Sequence, residues 1–206
     1  IYEEILMEIS LKRQKAAPPK GTHLVHLPVR TITVLRQMRT KFREESLDEL
    51  AESIKSKGQM NPGVVVALSK EEALQYLECI NETWGTKHLL RSFTPVRITE
   101  KGEAYYLFLV AGERRLRACK RVRLDSYLSY LRFDLSFIQA IEFQAQENLH
   151  EQLAPEESAA SFALIWRSTK KIDPSMSLAS FARKMGKTPE AIRRAVRFIS
   201  LPTEVQ

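Results

Sequence analysis

Three places in the chain carry residue types whose spacing suits chemistry on phosphates. The first is Ala111-Gly112-Glu113-Arg114-Arg115-Leu116-Arg117-Ala118-Cys119-Lys120-Arg121, where a strand pattern runs into a glycine and a helical pattern follows. A glycine there lets a ligand approach the backbone, and the unpaired amides at a helix N-terminus are a ready anion site. Arg114 and Arg115 fall in the first turn, where cations are unfavourable against the helix dipole unless an anion joins them. The same residues also read as a solvated basic stripe, with Arg114, Arg117 and Arg121 at helical spacing, and the physics leaves the two readings even.

The second place is Leu178 to Ile199. Leu178, Phe181, Ala182 and Met185 mark one apolar helix face, and Gly186 ends it. Thr188-Pro189-Glu190 then starts another helix with a cap, a proline at its first position and an acid near the positive end of the dipole. Ile192, Ala195, Val196 and Ile199 form its apolar face. Such a pair fits helix-turn-helix packing. Arg193, Arg194 and Arg197 then face outward, with Lys184, Lys187 and Thr188 at the approach, which suits a major groove; an ordinary helical hairpin with a solvated basic face is the plainer alternative. The third place is Glu147-Asn148, near the end of a helix predicted over 136–150. Adjacent carboxylate and amide oxygens suit Mg²⁺, although such a pair by itself is commonly only solvated.

These residues depend on elements that can be read from pattern. Ser46-Leu47-Asp48-Glu49 predicts a capping box opening a helix to Lys57, with Gly58 as its stop. Strands are predicted at 23–29, 64–68, 95–99, 104–110 and 127–132, and helices at 70–84 and 113–123. From Ser136 onward the pattern is helical: 136–150, 155–169, 178–185 and 189–199. The expected organisation is an arm at 1–21, an α/β domain at 22–134 with an insertion at 69–94, and an all-helical domain at 135–206 with its helix-turn-helix at 178–199.

The balance of 32 Lys+Arg against 25 Asp+Glu gives a net charge of +7 over 206 residues. Residues 111–123 and 177–200 each hold six basic residues against one acid. The two clusters together exceed the total, so the remainder is net acidic. The longest apolar run, Tyr105 to Ala111, is strand-sized and far below the ~20 residues that span a bilayer. Cys79 and Cys119 carry no motif and fit a reduced, cytoplasmic protein better than a disulfide framework. The first residue is Ile and no signal-peptide pattern follows, so the chain is expected to be a fragment without membrane attachment.

Taken in order, the motifs resemble those of the ParB family of chromosome and plasmid partition proteins. The resemblance lies in Gln37-Met38-Arg39, Ser46-Leu47-Asp48-Glu49-Leu50-Ala51-Glu52-Ser53-Ile54, Asn61-Pro62 before the valine strand, Gly112-Glu113-Arg114-Arg115, Glu147-Asn148-Leu149, Pro155-Glu156-Glu157 and the final helix pair with Leu201-Pro202. It implies an α+β chain: a ParB/sulfiredoxin-like nucleotide domain, then a helical DNA-binding domain. It further implies that CTP with Mg²⁺ closes a homodimeric clamp on double-stranded DNA at a centromere-like site, that slow CTP hydrolysis reopens it, and that a ParA-type ATPase moves the complex in a bacterial cytoplasm, on nucleoid or plasmid. Gly112, Arg114 and Arg115 would hold the triphosphate with Glu113 beside them, Arg39 would add a contact, and Asn148 with Glu147 would hold Mg²⁺.

The chain departs from the family pattern at Glu151, where the box calls for Arg, at Met38, at Gly63 and in the 69–94 insertion. Glu151 puts an anion in place of a cation near the phosphates, which keeps open a ParB-like regulator or silencer that binds DNA without nucleotide. A sulfiredoxin activity is rejected because Glu113 stands where its catalytic Cys belongs. The helix-turn-helix argues against a small-molecule kinase.

Overall fold

The computed structural model describes residues 21–35, 44–98, 103–133, 135–150 and 155–199. The chain divides into two units between Leu135 and Ser136.

The first unit is built on a five-stranded sheet in the order β1-β5-β2-β4-β3. Its strands are β1 (Thr22–Pro28), β2 (Gly63–Leu68), β3 (Val96–Arg97), β4 (Ala104–Ala111) and β5 (Ser126–Arg132). β2 runs parallel to β5, and the other pairs are antiparallel. Val65 and Val66 are fully buried, as are Val110 and Leu131, so the centre of the sheet has the β-branched character its sequence announces. Of the strand expected over 95–99, the described residues pair at Val96 and Arg97.

Helices α1 (Glu44–Lys57), α2 (Lys70–Trp84) and α3 (Glu113–Arg121) complete this unit. α1 buries Leu47, Ala51 and Ile54 in a cluster with Leu116, Ala118 and Cys119 of α3. Its start corrects the capping box expected at Ser46. The helix begins two residues earlier, with Glu44 and Glu45 in the first turn, so Ser46 lies inside it. Two acids at the positive end of the dipole take over the stabilising role, and the Ser46 hydroxyl instead accepts from Arg114 Nη2 at 2.6 Å.

A reciprocal capping box does exist, at α2: Glu72 N–H donates to Ser69 Oγ, and Ser69 N–H donates to Glu72 Oε2. The 69–94 insertion is therefore a folded part of the unit. α2 buries Ala73, Tyr76, Leu77 and Ile80, and Tyr76 stacks on Phe108 of β4 with ring centroids 5.7 Å apart. Asn81 closes the loop beyond it, accepting from Thr86 Oγ1 and His88 N and donating to His88 O, each within 2.9 Å.

Gln59 fastens the chain before β2 to β5. Its Nε2 donates to Asn61 O at 3.0 Å and Leu128 O at 2.8 Å, while its Oε1 accepts from Leu128 N at 2.8 Å. Cys119 is fully buried behind it, and burial pushes its thiol up to about 11. At about pH 8 the folded chain should therefore react with a thiol reagent at Cys79 and spare Cys119, which becomes reactive on unfolding because only the thiolate is a good nucleophile. Counting labelled thiols before and after denaturation checks this; prompt labelling of Cys119 would contradict it.

The second unit contains α4 (Phe137–His150), α5 (Pro155–Ile172), α6 (Leu178–Lys184) and α7 (Pro189–Ile199). α7 packs on α5 and α6, and Phe181, Ala182, Met185 and Ile192 are almost wholly buried. Among the described residues no helix is long and apolar enough to cross a membrane.

Candidate phosphate and nucleic-acid sites

In the first unit, β4 delivers the chain to Gly112, which takes the left-handed conformation with φ 98° immediately before α3. The N-cap residue of α3 is a glycine and supplies no side-chain cap, and a helix N-terminus of this kind has the dipole and amide orientation that suit an anion. The reason for glycine is steric as well as conformational. A Cβ at Gly112 would stand 2.5 Å from the Tyr127 hydroxyl, and one at Gly63 would stand 2.1 Å from it. Tyr127 is fully buried, and its hydroxyl donates to Gly112 O at 3.0 Å. The unusual Gly63 is thereby explained: the tyrosine occupies the volume that a side chain there would need.

The cations of α3 divide according to what holds them. Arg114 reaches back to Ser46 of α1, and Arg115 Nη1 donates to Pro62 O at 2.7 Å. Arg117 pairs with the nearly buried carboxylate of Glu113 at 2.6 Å, one helical turn away. Arg121 lies between Glu44 and Asp48 of α1 at 2.7 and 2.8 Å, and the Glu44 hydrogen bond raises its pKa further. So the stripe of Arg114, Arg117 and Arg121 is in good part a seam between α3 and α1. Gly112, Glu113, Arg114 and Arg115 are brought together at the head of α3, with Arg114 and Arg115 half-buried.

Sequence reasoning did not anticipate Ser46 and Pro62 as anchors of these two arginines, nor Tyr127 as the wedge under Gly112. Only the unusual glycine at 63 hinted at a large neighbour. Arg39 lies outside the described residues, as do Glu151 and the side chains of Glu147 and Asn148; the backbone of that pair belongs to α4. Among the described residues no group of three or more His, Cys, Asp or Glu could hold a metal ion.

In the second unit, Gly186 at φ 61° ends α6, with Lys187 N–H donating to Ala182 O at 2.9 Å. Thr188 Oγ1 then accepts from Ala191 N at 3.2 Å, as an N-cap does. This fixes which face of α7 is outward. Ile192 and Ala195 are buried, while Arg193, Arg194 and Arg197 are exposed. Within the outward face the roles differ. Arg193 pairs with Glu190, and Lys187 lies 5.6 Å over the Phe162 ring, which commits part of its reach to packing. Lys184 is exposed at the end of α6. The Arg194 side chain makes no hydrogen bond or ion pair among the described residues.

Residues 13–81 match the family model described as the ParB N-terminal domain. The chain is 29% identical over 189 residues to the chromosome-partitioning protein Spo0J of Thermus thermophilus, covering 91% of this chain and 55% of that protein. It is 28% identical over 184 residues to the nucleoid occlusion protein of Geobacillus kaustophilus, covering 88% and 51%. Thus it spans about half the length of these curated relatives. Its fold is shared with the C-terminally truncated chromosome-partitioning protein ParB of Caulobacter crescentus, solved in complex with the centromeric parS site. The TM-score is 0.51 at 23% identity, over 88% of this chain and 75% of that one.

Proposed function

We propose that this chain, whose residues 13–81 match the ParB N-terminal domain model and which is 29% identical to a chromosome-partitioning protein over 91% of its length, is a DNA-binding partition protein switched by CTP. The observation that carries the DNA half is α7, whose Arg193, Arg194 and Arg197 lie outward on a helix seated by buried Ile192 and Ala195. A cationic helix face held by a second helix through a short turn can enter a major groove and present its guanidiniums to guanine edges and phosphates.

The nucleotide half rests on the head of α3. The left-handed Gly112 at the N-terminus of α3 suits a triphosphate, and Arg114 and Arg115 would supply charge. In the ground state their guanidiniums contact Ser46 Oγ and Pro62 O. Binding would therefore recruit residues already held in place by α1 and the 59–62 turn, which limits the ordering cost. Mg²⁺, when bound, would neutralise phosphate charge, with Asn148 and Glu147 as its proposed ligands. On this reading the chain acts as a homodimeric clamp on a centromere-like site with a ParA-type ATPase as partner.

A second reading, a DNA-binding regulator or occlusion protein that uses no nucleotide, is favoured by two observations. Arg114 and Arg115 already have protein acceptors, and Glu151 puts an acid where the family motif has a cation. Calorimetry with CTP, ATP, GTP and UTP in the presence of Mg²⁺, with and without DNA, separates the two. The expected result is heat with CTP alone, lost in Arg115→Ala while the melting temperature is kept. No heat with any nucleotide would sink the clamp and leave the regulator.

A further inference from the structure

We infer that the first unit carries its own sequence-independent contact for the phosphodiester backbone of duplex DNA, in a groove at the far end of α3 from Gly112. It rests on the proposed function only for the choice of duplex DNA as the phosphodiester. The groove is an open one of about 750 Å³ where the end of β1 meets the turn from α3 into β5. Its walls bring together Arg30, Lys120 and Arg123, from two segments about ninety residues apart in sequence, over an apolar floor that includes Val29 and Leu124.

Three observations carry the inference. First, the cations are uncommitted. Whereas Arg114, Arg115, Arg117 and Arg121 of the same helix all have protein partners, the exposed side chains of Arg30, Lys120 and Arg123 make no hydrogen bond or ion pair among the described residues. Second, Arg123 has φ 56° and is the one non-glycine residue with positive φ among the described residues. That left-handed turn closes α3 and places the Arg123 side chain on the wall of the groove. Third, the two walls are tied together: Val29 N–H donates to Asp125 O at 2.9 Å, and Leu124 N–H donates to Cys119 O at 3.0 Å to close α3.

The negative end of the α3 dipole attracts Lys120 and Arg123 without any ligand. It does not account for Arg30, which lies in the 3-10 turn after β1. Other charge in the groove comes from exposed Asp125, and His26 stands beside Ser126 with its Nδ1 3.5 Å from the hydroxyl. Three cations against one acid leave a net positive surface. An open groove with exposed cations fits the outside of a polyanion better than an enclosed small phosphate, and it reads no bases, since the cations have phosphates to meet and no groove-entering helix accompanies them.

The test uses the full chain and a duplex of random sequence, titrated by fluorescence anisotropy over about 50–200 mM salt. The triple variant Arg30→Ala/Lys120→Ala/Arg123→Gly is expected to lower the slope of log affinity against log salt by about two to three, one phosphate contact being worth about 0.9. Arg123→Gly alone removes a contact and puts glycine at a left-handed position, so it should bind less tightly while melting no lower than the parent. Arg121→Ala, whose guanidinium is held by Glu44 and Asp48, should leave the slope unchanged. An unchanged slope in a folded triple variant overturns the inference, as does a parent chain that ignores random duplex at low salt. Loss of inorganic pyrophosphate binding with the duplex slope intact also overturns it, by showing a small-ligand site. The reading of α7 is tested separately: the triple variant should still discriminate a site selected from a random library, and failure of that discrimination in Arg194→Ala bears on α7 alone.

Discussion

Gly63→Ala is expected to destabilise the chain by about 2–4 kcal/mol, a large effect for one methyl group. The new Cβ would lie 2.1 Å from Tyr127 Oη and 2.7 and 2.8 Å from two ring carbons. Forcing extra volume into a packed interior typically costs about 1–3 kcal/mol. Here the ring cannot swing aside without giving up its hydrogen bond to Gly112 O, worth about another 1 kcal/mol. Urea denaturation of parent and variant measures the loss directly. Tyr127→Phe should recover little of it, since the two ring carbons remain in place. Full recovery by Tyr127→Phe would show that the hydroxyl alone is the obstacle and that the ring can shift. Because Gly63 and Gly112 share this one tyrosine, their substitutions should be non-additive in a double-mutant cycle.

The second large effect belongs to α7. Arg194→Ala should weaken binding to a duplex selected for tight binding by ~1–3 kcal/mol, the usual worth of one good arginine–base contact. Among the outward arginines it has no partner among the described residues, whereas Arg193 is shared with Glu190. Removing Arg193 should therefore cost less. Anisotropy on the selected duplex and on its single-base variants distinguishes base reading from phosphate contact. A loss at Arg194 that is equal on selected and random duplexes would assign it to the backbone.

Much of the architecture was legible because the signals were local. Leu178 to Ile199 could be read as two helices with a glycine turn between them, and both form, with Phe181, Ala182, Met185, Ile192 and Ala195 buried while Leu178 and Val196 are half-buried. The order of α and β elements and the all-helical second half were likewise visible in periodicity. What local pattern could not carry was competition between distant groups. Ser46 has a capping box's spacing, yet Arg114, 68 residues away, takes its hydroxyl and the helix starts at Glu44. Ser69 and Glu72 form the real box, in a segment where sequence reading singled out only the helix.

The same limit applies to charge. Counted along the chain, residues 111–123 hold six basic side chains against one acid. In space Glu44 and Asp48 join them, so Arg121 is neutralised by α1, and the uncommitted cations prove to be Lys120 and Arg123, with Arg30 beside them from another segment. The glycine turn into α3 was legible from Gly112, and so were the arginines that follow it. The groove at the other end was not, because half of it comes from the end of β1.

The strand order of the first unit bears on how the chain is made. Of the five strands β1 is made first, yet among the described residues its ladder partner is β5, the last of them, with Pro28 opposite Ser126 and Thr22 opposite Arg132. At about 5–20 residues per second, the roughly hundred residues between them take about 5 to 20 s to synthesise. During that interval an apolar, β-prone segment waits unpaired, and β2 waits for the same strand to complete its parallel side. Sheet closure is thus a late, long-range event that joins the earliest and latest parts of the unit, which places the first unit among slow-folding topologies.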